Sequence, residues 1–134
     1  MVKTALLAGA AALLLSACGT RVGSAPTPSP GLDFNAVVTE HDTAITIQVG
    51  QKLEVVLHAK SGMTNWSNVR SSDTSVLAPI VDPAATAARG VTLAAFQALA
   101  PGRAVITASA GALCSPGQAC PMFAILYSAT VTVT

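Results

Sequence analysis

The sequence has few charged and few aromatic side chains. Charged residues make up 10% of the 134 residues and aromatic residues 4%. The basic residues stand singly along the chain, whereas proteins that bind nucleic acid or anionic lipid use clustered Lys and Arg. The aromatic residues, three Phe, one Trp and one Tyr, are too few for a platform on which bases stack. This composition argues against a nucleic-acid-binding protein.

The chain also lacks an apolar run long enough to cross a bilayer, which needs about 20 residues. Its longest run, from Ala5 to Leu15, has the length of the apolar part of an export signal, and Lys3 supplies a positive start. We therefore predict a signal peptide over residues 1–17. Removing it takes away Lys3 and leaves six basic and six acidic residues, so the exported protein is formally neutral.

The end of this segment resembles the lipobox of bacterial lipoproteins, through the order Leu15, Ser16, Ala17, Cys18. The resemblance implies that the Cys18 thiol takes a diacylglycerol and that the chain is cut just before it. We expect a protein anchored by lipid to a cell membrane on its extracytoplasmic face, within the cell envelope. The alternative is a plain cleaved signal that leaves a soluble secreted protein.

Residues 18–31 are predicted to consist of the lipidated Cys18 and a linker rich in Pro, Ser and Thr that follows it. Pro26, Pro28 and Pro30 alternate there with Thr27 and Ser29, a composition that favours extended polyproline geometry and buries little apolar surface. A dozen residues in that geometry reach roughly 35 Å. The linker then holds a folded domain, predicted over residues 32–134, clear of the lipid headgroups.

The folded part is predicted to be all-β, a single Ig-like antiparallel β-sandwich of about seven strands. Short segments of β-branched residues alternate with polar ones and are separated by turns. Gly50 and Gln51 predict a hairpin turn between the first two segments, and Ser128 a bulge in the last strand. The alanines of 84–98 would also allow a helix, but Gly90 and the β-branched residues after it favour a strand over 91–99.

Two family resemblances support this architecture. Trp66, the Ser71-Ser72-Asp73 turn and the stretch from Ala100 to Ala108 follow the order seen in bacterial Ig-like domains. The stretch from Val49 to Val55, with Trp66 about a dozen residues later, resembles the chagasin-type inhibitors of cysteine peptidases. Both resemblances imply an Ig-like fold, and Trp66 is expected to be a core residue of it.

Cys114 and Cys120 remain once Cys18 is assigned to the lipid. An even pair in an exported domain is normally a disulfide, and the Pro116-Gly117 turn between them brings the two together. Metal binding would need further ligands, but His41 and His58 are distant in sequence and have no ligand spacing beside them. We predict a structural disulfide, no metal and no cofactor.

The candidates for catalysis are weak. His41 and His58 lie in no nucleophile motif, and His58 is expected to be a surface residue of its strand. Glu40 and Asp42 are expected on one strand face at an exposed edge, a poor arrangement for an acid/base pair. We therefore predict that the protein is not an enzyme.

Binding by Ig-like sandwiches falls on loops at one end, here residues 60–65, 82–90 and 111–121. The candidate contact residues are Lys60, Met63, Asn65, Arg89, Gly90, Gln118 and Met122. We expect a non-catalytic binding or structural module that presents these loops to a protein partner. The alternatives are a chagasin-type peptidase inhibitor with altered loops, and a protein that contacts cell-wall carbohydrate.

The resemblance to the inhibitors is poor in the loops that would contact a peptidase. Ala59-Lys60-Ser61-Gly62-Met63 stands where their Asn-Pro-Thr-Thr-Gly stretch should be, and only Gly90 remains of their Gly-rich loop. Their Arg-Pro-Trp stretch is missing, and the bridged loop from Cys114 to Cys120 takes its place. Inhibition would therefore require altered specificity.

Overall fold

The computed structural model describes residues 33–81 and 89–134, so the predicted signal peptide, Cys18 and the linker lie outside the described residues. It confirms the all-β sandwich. Eight strands are described: β1 (Ala36–Thr39), β2 (Ala44–Ile47), β3 (Lys52–His58), β4 (Ser67–Ser71), β5 (Leu77–Ile80), β6 (Val91–Ala98), β7 (Gly102–Gly111) and β8 (Ala124–Val133).

The strands form two sheets of four. The first sheet has the order β1-β3-β6-β5, and the second has the order β2-β8-β7-β4. Most neighbours are antiparallel as expected, but β1 runs parallel to β3 and β2 runs parallel to β8. The sandwich therefore carries one parallel pair at an edge of each sheet, because the chain changes sheet between β1 and β2 and again between β2 and β3.

The hairpin predicted at Gly50 is wrong. Val49 N donates to the carbonyl of Thr134 in the second sheet (3.1 Å), and Gly50 N donates to the carbonyl of Ala98 in the first (2.8 Å). Gly50 has a φ of 88°, which glycine adopts without a steric penalty. The turn therefore transfers the chain from one sheet to the other, and β2 and β3 do not pair.

Two further expectations about strands can be compared with the structure. The segment after Gly90 is a strand as predicted, since β6 pairs with β3 from Val91 to Gln97 and also with β5. The bulge predicted at Ser128 is wrong, because β8 pairs with β7 in unbroken register along its whole length. The irregular strand is instead β4, whose register shifts between Ser67 and Arg70.

The core lies between the two sheets and follows the alternation of the sequence. In β7, Ala104, Ile106 and Ala108 point inward, and Leu53, Val55 and Leu57 of β3 face them from the other sheet. The predicted core role of Trp66 is confirmed by its burial. The other buried members of this cluster are Val38, Ile47, Val76, Leu77, Phe96, Ala98, Ala110, Tyr127, Ala129, Val131 and Val133.

Candidate functional site

Two of the three predicted binding loops adjoin each other at one end of the sandwich. The last residue of β3, His58, pairs with the first residue of β6, Val91. Beyond that pair, Ala59 N donates to the carbonyl of Gly90 at 2.7 Å. The loop over 59–66 therefore starts beside the described end of the second loop, residues 89 and 90.

The third loop, residues 112–123, is bonded to the first. Thr64 N donates to the carbonyl of Gly111 (2.9 Å), and Leu113 N donates to the carbonyl of Gly62 (2.9 Å). The Thr64 hydroxyl accepts from Gly111 N at 3.0 Å, and Met63 forms an isolated bridge with Ala112. The structure thus brings the first and third loops together with residues 89 and 90 of the second. We call residues 59–66, 89–90 and 112–123 the loop end.

The candidate contact residues differ in how they lie at the loop end. Met63 packs against the hydrophobic core, and Gly90 is half-buried at a φ of 81°. Met122 is 98% exposed. The remaining candidates are exposed: Lys60, Asn65, Arg89 and Gln118. The exposed candidates therefore come from all three loops.

Trp66 fixes the base of the first loop. Its indole N–H donates to the carbonyl of His58 at 2.9 Å, and its own carbonyl accepts from the Thr92 hydroxyl at 2.7 Å. Its ring meets Tyr127 edge to face, with the ring centroids 6.2 Å apart. These contacts join Trp66 to both sheets. We call Trp66 and its contact residues His58, Thr92 and Tyr127 the platform, because the first loop ends on them.

A cluster around Glu40 lies beside this platform, and sequence reasoning missed it. Glu40 follows β1 in a turn rather than on a strand face as expected, and its carboxylate accepts from His58 N and contacts His58 Nδ1, both at 3.2 Å. His41 Nε2 lies 3.6 Å from the same carboxylate. Burial opposes ionisation of Glu40, but hydrogen bonds from its own backbone and from His58 prevail and lower its pKa below 4.5.

The tip of the loop end is the third loop. Cys114 and Cys120 form the predicted disulfide there, with their Cα atoms 5.3 Å apart. From Ala104 to Thr134 the chain has no charged side chain. Three large apolar side chains are exposed, Met122, Leu113 at 62% and Phe123 at 52%.

A shallow depression of about 410 Å³ lies at the root of this tip. It is lined by Gly111, Ala112, Pro121, Met122, Phe123 and Ala124. The tip is therefore uncharged, exposes apolar side chains and is cross-linked by a disulfide. These properties suit binding to a surface of complementary shape.

Two further searches concern metals and membranes. Within 33–81 and 89–134, no three His, Cys, Asp or Glu side chains are grouped so as to hold a metal ion. The same residues include no helix with the length and hydropathy that crossing a bilayer requires.

Several solved structures are similar to this chain. The chain is similar to a cysteine protease inhibitor from Entamoeba histolytica, with 19% identity and a TM-score of 0.49, over 74% of this chain and 96% of that one. It is also similar to the solution structure of amebosin, with 17% identity and a TM-score of 0.42, over 74% of this chain and 97% of that one. No protein-family model and no curated protein matches the sequence.

Proposed function

We propose that the domain is a non-catalytic module that binds a protein partner through its loop end, and that a papain-like cysteine peptidase is the partner class to test first. The observation that carries this proposal is the stapled, uncharged tip with its exposed Leu113, Met122 and Phe123. The centres of protein–protein interfaces contain fewer charged residues, and more Met and aromatic residues, than the rest of the protein surface. A disulfide lowers the entropy lost when such a loop is ordered on binding.

The backbone of the tip favours a protein surface over a lipid one. Among the described residues, one backbone hydrogen bond lies inside 114–123, from Gln118 N to the carbonyl of Ser115. Unpaired backbone groups are costly in hydrocarbon, whereas a protein partner can pair with them. The tip also lacks the Trp, Tyr, Lys and Arg that anchor a segment at a membrane interface.

Two features support a peptidase as that partner. The first is the sequence resemblance of Val49 to Val55, with Trp66 after it, to the chagasin-type inhibitors. The second is the arrangement at one end of the sandwich, where the first loop is hydrogen-bonded both to Gly90 of the second loop and to the third loop. Because the contact stretches of those inhibitors are replaced here, the stapled tip provides the contacts that their Arg-Pro-Trp stretch provides.

The direction in which the chain reaches the sandwich supports a tethered module. Asn35 N donates to the carbonyl of Lys52, and Lys52 N donates to the Asn35 side chain, both at 2.9 Å. Lys52 begins β3, whose other end leads into the first loop. The first described residues, 33–35, therefore lie at the end of the sandwich opposite the loops. A lipid on Cys18 would then leave the loop end facing away from the membrane.

Inhibition kinetics test the proposal. We expect the purified protein to inhibit a papain-like peptidase at micromolar concentration or below. Met122→Ala combined with Phe123→Ala should weaken inhibition about tenfold or more, as loss of apolar anchors does. Val49→Ala combined with Leu99→Ala is the matched control, because both side chains are exposed and apolar at the opposite end.

The outcomes separate the two parts of the proposal. No inhibition by the wild-type protein at micromolar concentration would remove the peptidase as partner. Cross-linking in envelope extract would then test the loop end itself. Equal capture of partners by wild type and by the Met122, Phe123 variant would show that the loop end is not the binding surface.

A further inference from the structure

A second concave site lies away from the loop end, on the outer face of the second sheet. It is a groove of about 170 Å³ that crosses β7 between β4 and β8. Its lining consists of Asn68, Arg70, Thr107, Ala108, Ser109 and Leu126. Leu126 is 80% exposed, so a large apolar side chain stands at one wall of the groove.

The opposite wall is shaped by the irregularity in β4. Ser67 pairs with Ser109 and Arg70 pairs with Thr107, so that two residues of β4 stand against one of β7. One of these two is Asn68, whose φ of 54° is the one positive value among the described non-glycine residues. Bulges of this kind redirect side chains and recur beside binding sites, and unusual backbone conformations cluster there too.

The bulge sets up a polar wall with a positive charge. Arg70 Nη2 donates to the Asn68 side-chain oxygen at 3.4 Å, and within 33–81 and 89–134 no other hydrogen bond of the guanidinium competes with a ligand. Thr107 and Ser109 supply hydroxyls from the groove floor. The lining contains one cation and no carboxylate, and a planar guanidinium pairs best with a carboxylate.

We propose that this groove binds one carboxylated sugar unit, a uronic acid, of an acidic polysaccharide. The hydroxyls of the sugar ring would pair with the side chains of Asn68, Thr107 and Ser109. The carboxylate of the sugar would pair with Arg70, and the C–H face of the ring would lie on Leu126. The groove is smaller than the roughly 300 to 1,000 Å³ that encloses a drug-sized ligand, so it takes one ring. This site is independent of the function proposed for the loop end.

The same features disfavour other occupants. A peptide strand that added to the edge of the sheet would need a regular β4, and the bulge interrupts its hydrogen-bonding pattern. A nucleic acid would need several cations and aromatic rings, whereas the groove holds one cation and no ring. A single carboxylate on a polyhydroxylated ring matches both the number and the type of groups present.

Titration of the purified protein, followed by the amide NMR signals, tests this inference. The probe is a tetrasaccharide of alternating glucuronic acid and N-acetylglucosamine, and its carboxyl-reduced counterpart is the control ligand. We expect the acidic probe to shift the signals of Asn68, Arg70 and Ser109 at millimolar concentration. Arg70→Gln should weaken binding about tenfold, the cost of losing a charge-assisted pair.

Arg103→Gln is the matched control, because Arg103 is exposed on the same face of β7 but lies outside the groove. It should leave the affinity unchanged. Leu126→Ala should weaken binding several-fold and keeps the inference testable if the Arg70 variant does not fold. The inference is overturned if the acidic probe shifts no groove signal, if the carboxyl-reduced probe or an acidic peptide binds equally well, or if Arg103→Gln weakens binding as much as Arg70→Gln.

Discussion

At the scale of single residues, Tyr127 is a buried side chain whose hydroxyl has no hydrogen-bond partner among the described residues. Burial, together with the nearby carboxylates of Asp42 and Glu40, raises the pKa of Tyr127 to about 12. A buried hydroxyl without a partner costs free energy, because it has lost its bonds to water. The ring itself contributes through its contact with Trp66.

We therefore expect Tyr127→Phe to keep the free energy of unfolding unchanged or to raise it by about 1 kcal/mol. Urea unfolding of the two proteins side by side measures the difference. Tyr127→Leu is the comparison that removes the aromatic contact, and it should destabilise. A clear loss of stability in Tyr127→Phe would mean that the hydroxyl is bonded after all.

Glu40 leads to a second expectation, about pH. Because its pKa is lower in the folded protein than the ordinary 4.5, its ionised form stabilises the fold above that pH. The contribution is lost as the pH falls from 4.5 through the folded value. Glu40→Gln should cost about 1 to 2 kcal/mol at neutral pH and reduce this dependence, since it weakens the bonds to His58.

Denaturant unfolding at neutral pH and at pH values around 4 measures both effects of the Glu40 substitution. Asp42→Asn serves as a neighbouring control in the same turn, because Asp42 bonds to Thr39 rather than to His58. A Glu40→Gln protein with the acid sensitivity of the wild type would contradict the assignment of this effect to Glu40.

The residues also show which site features the sequence predicts. The cysteine pair could be assigned because six positions separate the two and a Pro-Gly turn lies between them. The contact of Glu40 with His58 joins residues eighteen positions apart, through the parallel pairing of β1 with β3. No local pattern encodes that pairing, so the sequence suggested only that both residues lie at the surface.

At the scale of elements, the junction before β7 is tightly packed. Gly102 has a φ of 152°, and a Cβ atom built on it would lie 2.9 Å from Cγ2 of the buried Val76. Both the conformation and the space therefore call for glycine at the start of this strand. Val76 belongs to the core, so it has little freedom to move away.

Gly102→Ala should lower the free energy of unfolding by about 1 to 3 kcal/mol, the usual cost of overpacking. Gly102→Ala should cost less when it is made in a Val76→Ala protein, because the methyl group that the new Cβ meets is then absent. Thermal unfolding of the four proteins of this double-mutant cycle measures the coupling. Strictly additive losses would show that the strain lies in the backbone alone.

The sequence predicted the central strands better than the edge strands. β7 and β8 alternate buried and exposed residues over ten positions each, and this period is visible in the sequence. β1 has four residues, and β4 has the polar sequence Ser-Asn-Val-Arg-Ser with a bulge, so neither gives a periodic signal. An edge strand pairs with a neighbouring strand on one side only. Short and irregular sequences are therefore tolerated in it.

At the scale of the whole molecule, the first and third loops lie at the same end of the sandwich as residues 89 and 90 of the second loop. The order of strands in such sandwiches leads to this expectation. The exchange of sheets at Gly50 was missed, since a turn of the same composition also closes hairpins. The direction of the chain after a turn depends on distant partners, here Thr134 and Ala98.

The membrane anchor remains a prediction at this scale. We expect cells that express the full chain to incorporate a clickable fatty acid into the protein, and Cys18→Ala to abolish that label. The variant with both Cys114→Ala and Cys120→Ala is the control, because it removes the other two cysteines together without touching the lipobox. Labelling that persists in Cys18→Ala, or wild-type protein found unlabelled in the cytosol, would contradict the anchor.

The two ends of the sandwich have different uses in practice. Thr134 N donates to the carbonyl of Ile47, and Val133 pairs with Gly102 at the start of β7, so Thr134 lies at the same end of the sandwich as Asn35. Strands of ten residues separate this end from the stapled tip by about 30 Å. A fluorescent reporter or an immobilisation tag fused after Thr134 would therefore leave the apolar tip free to engage an analyte on a sensor chip.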